Sequence, residues 1–168
     1  MPFTNDQVEI LYFQDISNAH EIADCIHQRN LPAAVMDGAT FLHVFQFGVA
    51  AQIALLHARR GKLVTHDVYS EIVFCLSARK NVREAFATFG FQSSSRNAVV
   101  VLVNPDADTK ESVMKKIAAA KVLETNEDMA QFSDKEYLMQ LYQVEPQELD
   151  QSNLLDSIVT RISTRVAL

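Results

Sequence analysis

Five histidines, two cysteines and 21 acidic side chains are the groups in this 168-residue chain best suited to chemistry, and their spacing argues against most of it. His20, His27, His43, His57 and His66 do not pair four residues apart with a third ligand close by, as a helix-borne metal site requires. Cys25 and Cys75 are too few and too far apart for a metal knuckle or a disulfide framework. Each lies among apolar neighbours, which predicts a reduced thiol and an intracellular protein. With glycine only at positions 38, 48, 61 and 90, neither a dinucleotide fingerprint nor a phosphate-cradling loop can form. The motifs G-x-S-x-G, H-E-x-x-H and C-x-x-C do not occur. Paired carboxylates such as Glu127-Asp128 fall in a polar stretch. The expectation is a protein without catalytic residues, metal or cofactor. The rival is an enzymatic or small-molecule-binding α/β domain, which requires a deep pocket with convergent polar groups.

What remains is binding chemistry. Arg59, Arg60 and Lys62, with His57 and His66, form a basic cluster beside a predicted helix end. Cations there complement the helix dipole by about 0.3–1 kcal/mol; the alternative is contact with nucleic-acid phosphates. Arg79, Lys80 and Arg83 form a second, weaker cluster. The net charge of −6 excludes a surface that coats nucleic acid broadly. Residues 105–156 carry a net −7 and residues 1–104 only −1, which leaves the first part free to hold a local positive patch.

The elements that must position these groups read as one domain over residues 1–168, since a chain of this length buries roughly 70% of its unfolded surface without staples. The predicted class is α/β (α+β), with a mixed, mainly antiparallel sheet flanked by helices and a C-terminal docking helix. Residues 8–16 read as a strand, residues 18–29 as a helix, and Ala33 to Met36 as a short apolar run before an Asp37-Gly38 turn. Residues 41–60 form the longest predicted helix, with Phe45, Val49, Ile53 and Leu56 as its inward stripe and Gly61 closing it. Residues 68–77 read as a buried strand interrupted by Glu71, whose carboxylate then needs a partner. Helices are predicted over 81–89 and 109–119, and a strand over 98–103. Beyond residue 120 the pattern weakens, apart from a Ser133/Glu136 capping box and a final helix capped by Ser152 or Asn153. Leu154, Leu155, Ile158, Val159, Ile162 and Val166 make that helix's face wider than one core contact needs. No apolar run approaches the roughly 20 residues of a membrane span.

Several stretches, in order and at nearly constant spacing, resemble the Cgi family, the small non-catalytic subunit of the KEOPS (EKC) complex. Phe13-Gln14-Asp15-Ile16-Ser17-Asn18-Ala19 resembles its opening. Phe45-Gln46, Val49-Ala50-Ala51, Ala54 and Gly61-Lys62 resemble its long helix. Thr65, Ser70-Glu71-Ile72, Leu76-Ser77, Val82, Ala85 and Phe89-Gly90 resemble its centre, and Leu154-Leu155-Asp156, Ile158, Arg161 and Ser163-Thr164 its tail. His66 stands where the family usually has Arg, and Ala78 replaces a frequent Pro.

The resemblance implies a protein that binds the N-terminal lobe of the complex's atypical, RIO-like kinase/ATPase subunit, meeting the other subunits indirectly. It implies support of threonylcarbamoyladenosine synthesis in tRNA, with recruitment of the tRNA 3′ CCA end, in cytoplasm and nucleus; some fungal relatives have been tied to telomere maintenance. On this reading Leu154, Leu155, Ile158, Val159 and Ile162 face the kinase. Arg59, Arg60, Lys62 and His66 are the tRNA-binding candidates, and an imidazole at position 66 weakens that role near neutral pH.

Overall fold

A computed structural model describes residues 6–164. They run β1 (Val8–Ile16), α1 (Ala19–His27), β2 (Ala34–Asp37), a 3-10 turn (Gly38–Thr40), α2 (Val44–Arg59), α3 (Val68–Leu76), α4 (Val82–Phe89) and β3 (Ala98–Val103). Then follow α5 (Ala107–Lys116), β4 (Ala119–Leu123), α6 (Asn126–Ala130), α7 (Lys135–Tyr142), a second 3-10 turn (Pro146–Asp150) and α8 (Leu154–Thr164). The sheet has the order β2-β3-β1-β4, and every pairing in it is antiparallel. The α/β class with a terminal helix is as the sequence predicts.

Strand alternation divides the core into two layers. Tyr12, Val99 and Val101 point to one face, against residues of α2, α3, α7 and α8. Leu11, Phe13, Ala98, Val100 and Leu102 point to the other, against Ile22 of α1 and Val113 of α5. With both faces covered, β3 has no water-facing side except at its end, and its sequence is accordingly an unbroken apolar run.

Residues 68–77 do not form the predicted strand. Asp67 accepts a hydrogen bond from Ser70 N at 2.8 Å and starts a helix there. Residues 71–77 are all buried, so α3 has no polar stripe to reveal a 3.6-residue period, and a short apolar run cannot be assigned by periodicity alone. The Ser133/Glu136 box is also not formed. Asp134 caps α7 by accepting from Tyr137 N, while Ser133 Oγ donates to Leu42 O. Asn153 caps α8 as expected, accepting from Asp156 N at 2.8 Å. Val166 and Arg165 lie outside the described residues.

Ala78, after α3, has φ 57°. Proline fixes φ near −65°, so the proline frequent at this position in the resembled family cannot occupy this loop as it stands.

Candidate functional site

The loop joining α2 to α3 carries Lys62, Val64 and His66, and a buried carboxylate sets its path. Glu71 is 0% exposed. Its Oε1 accepts from Thr65 Oγ1 at 2.7 Å and Thr65 N at 2.9 Å, and Val64 N lies 3.1 Å from Oε1 and 3.3 Å from Oε2. His57 Nδ1, on the last turn of α2, is 2.8 Å from Oε2. Burial pushes the Glu71 carboxyl up, but the hydrogen bonds from Thr65, His57 and Val64 outweigh it and hold it below its ordinary value. The sequence reading that Glu71 needs a partner is met by two backbone amides, a hydroxyl and an imidazole. Cys75, one turn further along α3, brings a third ligand atom within 4.8 Å of His57 and Glu71. The composition suits zinc, yet both Glu71 oxygens are engaged in fixing the loop. The arrangement acts as a clamp that joins α2, the loop and α3.

The long helix presents a different face from the one predicted. Phe47, Ala50, Ala51, Ala54 and Leu55 turn inward, and alanines at three of these five positions let α3 and α8 pack closely against α2. The stripe expected to point inward sits at the edge of the core instead: Phe45 is 54% exposed, Val49 and Ile53 are half-buried against the core's margin, and Leu56 is half-buried. Apolar residues line α2 almost all round, so the sequence pattern offers two candidate core faces, and the one with small side chains wins because it permits the closest approach. The outer row borders a shallow groove of about 480 Å³ formed by Phe45, Gly48, Val49, Gln52, Ile53 and Ser163. Ser163 brings α8 to its edge.

In α8 the predicted kinase-facing residues divide. Ile158 and Ile162 are 0% exposed and Leu154 is 8% exposed; all three belong to the core beneath α2. This corrects the expectation that they face outward: the helix must cover α2 and α7 before it can offer anything to a partner. Leu155 and Val159 remain half-exposed, in the same i, i+4 row as Ser163. Arg161 anchors the helix by donating from Nη1 and Nη2 to both oxygens of Glu148, at 2.6 and 2.7 Å, and from Nη2 to Gln143 O at 3.0 Å. Arg161 holds the Glu148 carboxyl down to about 2.

The basic candidates divide as well. Arg59 pairs with Asp6, near the start of β1. Arg60 and Lys62 are exposed at the end of α2 and do not line the cleft at which His66 stands. His66 does. It stands at the rim of a cleft of about 780 Å³ walled by the end of α1, β2, α3 and α4. The interior includes Leu31, Val73, Phe86 and Phe91, and the rim adds His27 and Arg29. Sequence reasoning missed His27 and Arg29 because the chain brings them beside His66 only through β2. Phe41, Phe47 and Phe89 are buried, Phe86 is half-buried at the cleft, and Phe45 is exposed. No helix among the described residues is long and apolar enough to cross a membrane.

Residues 13–166 match the family model for kinase binding protein CGI-121. A Danio rerio protein named EKC/KEOPS complex subunit TPRKB is 30% identical over 160 residues, covering 92% of this chain and 89% of the relative. The Schizosaccharomyces pombe protein named EKC/KEOPS complex subunit cgi121 is 27% identical over 168 residues, covering 97% of this chain and 95% of the relative. A model match over nearly the whole chain, joined to a relative at that identity and coverage, shows that the chain belongs to the CGI-121 family of kinase-binding proteins.

Proposed function

We propose that this protein is a non-catalytic subunit of an EKC/KEOPS-type complex, docking the complex's atypical kinase/ATPase through the outer faces of α2 and α8. The observation that carries this reading is the row Phe45, Val49 and Ile53 on α2, bordering a groove that α8 reaches through Ser163, which shares an i, i+4 row with Leu155 and Val159. Phe45 is exposed and the other four remain partly uncovered after the core is filled, as an interaction face requires. Docking buries them against the N-terminal lobe of the kinase. The complex thereby supports threonylcarbamoyladenosine synthesis in tRNA, in cytoplasm and nucleus, with the transfer chemistry performed by another subunit. The cleft at His66 is the place for the tRNA 3′ CCA end, where His27, Arg29 and His66 face phosphates and Phe86 offers an aromatic surface.

The test is direct mixing with the purified kinase subunit followed by size-exclusion chromatography. Co-elution at micromolar concentrations is expected; separate elution contradicts the docking reading. The cleft is also the observation that favours the rival, a small-molecule site, and a tRNA titration separates the two. Binding that weakens at least tenfold when the CCA end is removed supports the RNA reading, and equal binding of both RNAs contradicts it.

A further inference from the structure

We propose that His57, Glu71 and Cys75 form a binding site for one zinc-like divalent cation, which ties the last turn of α2 to α3 beneath the loop that carries Lys62, Val64 and His66. The site is independent of the docking and RNA readings. The sequence conceals it because a loop and a change of helix separate His57 from the other two ligands.

Each residue offers one donor atom, and the three atoms lie within 4.8 Å of one another. His57 Nδ1 and Glu71 Oε2 are already 2.8 Å apart. Donors around a tetrahedral zinc, with bonds of about 2.0–2.3 Å, stand roughly 3.3–3.6 Å apart, so adjustments of roughly an ångström seat the ion. Glu71 and Cys75 are four positions apart on α3, which puts them on one face of that helix. Both are 0% exposed, whereas the His57 side chain is 16% exposed and forms the side from which an ion enters.

The hydrogen bonds of the clamp leave room for the ion. Thr65 N, Thr65 Oγ1 and the shorter Val64 N contact fall on Oε1, while the short contact to Oε2 comes from His57. A carboxylate has about four lone-pair sites. The cation takes the place of the proton between Nδ1 and Oε2, and Oε1 goes on holding the loop.

Charge points the same way. The groups that hold the buried Glu71 carboxylate include no lysine or arginine. With the Cys75 thiol ionised, the ligands carry two negative charges, which a divalent cation cancels, and burial favours a neutral set over unpaired charge. On binding, a bond forms from Sγ to the metal, the thiol proton leaves to solvent, and the imidazole keeps its proton on Nε2. Thiolate and imidazole select zinc over magnesium or calcium. Three protein ligands leave a fourth position for water.

The experiment is titration of the reduced, chelator-stripped full-length protein with cobalt(II), a coloured substitute for zinc. Wild type is expected to take up one ion per chain with a thiolate-to-cobalt charge-transfer band, to lose the band when zinc is added, and to keep it in a large excess of magnesium. Zinc is expected to raise the melting temperature as its concentration rises. Cys75→Ala is expected to lose the band and to bind zinc about tenfold or more weakly. His57→Gln, whose amide still donates to Glu71, is expected to bind zinc about tenfold or more weakly while melting near wild type without metal. Cys25→Ser is expected to behave as wild type, since Cys25 lies on α1. Absence of the band in wild type overturns the inference, as does a band that survives Cys75→Ala or vanishes in Cys25→Ser. If Cys75→Ala does not fold, His57→Gln decides, and zinc affinity equal to wild type in that variant overturns the site.

Discussion

Replacing Ile158 by glutamate is expected to abolish cooperative folding, not merely partner binding. Ile158 is 0% exposed and lies in the core cluster shared by α2, α7 and α8. The substitution discards an apolar burial worth about 1.5–3 kcal/mol and places a carboxylate where no cation has been provided, a further cost of several kcal/mol. Against total stabilities of about 5–15 kcal/mol for a domain, most of the folded population is lost. Ile158→Val removes a single methylene and should cost only about 0.5–1.5 kcal/mol. The check is urea denaturation followed by circular dichroism. A folded Ile158→Glu protein with a normal midpoint would mean that α8 is not seated against α2 as described.

The second large effect is expected at Glu71. Glu71→Ala leaves Val64 N, Thr65 N and His57 Nδ1 without their acceptor, while Thr65 Oγ1 keeps only Asp67 O at 3.2 Å. Stranding that many donors should cost roughly 3–5 kcal/mol. Glu71→Gln keeps one acceptor oxygen for the loop and should cost less. The pH dependence follows from the direction of the shift. The folded protein holds this carboxyl below its ordinary value, so the added stability is present above the ordinary carboxylate range and is lost as pH falls through it. Denaturant midpoints measured from about pH 3.5 to pH 7 should therefore slope less steeply in Glu71→Gln than in wild type. Parallel slopes would remove Glu71 from the account of acid sensitivity.

Much of the fold is legible in the residues. β1 and β3 show themselves through β-branched and aromatic runs, α4 through apolar spacing before Gly90, and α8 through a cap at Asn153 with apolar spacing behind it; the cap of α4 is Asn81, where the sequence pointed to Ser77, which instead ends α3. The failures share a cause. Along α2 and α3 the apolar side chains cover more than one face, so periodicity no longer tells inside from outside, or helix from strand. In α3 only the Asp67 cap betrayed a helix. In α2 the small residues Ala50, Ala51 and Ala54 marked the packed face, while the larger Val49 and Ile53 sit half-buried at its margin and Phe45 is exposed. β4 is a five-residue edge strand, Ala-Ala-Lys-Val-Leu, with Ala120 and Lys121 exposed, too short and too rich in residues of low strand propensity to stand out. The candidate sites were legible as surplus and not as location. The sequence holds more apolar side chains than one core needs, but only the fold shows that the surplus belongs to α2 and to two positions of α8. The basic residues dispersed for a related reason, since neighbours in sequence at the end of a helix project in different directions.

The most direct test of the docking account is the affinity of Phe45→Glu/Val159→Glu for the kinase subunit, measured by isothermal titration beside wild type. Phe45 lies in the first turn of α2, where a carboxylate suits the helix dipole, and Val159 is half-exposed, so the melting temperature should stay close to wild type. Carboxylates at two central contacts of an apolar interface should weaken binding by about a hundredfold, since about 1.4 kcal/mol is a decade. A folded double variant with unchanged affinity would contradict the assignment of this face.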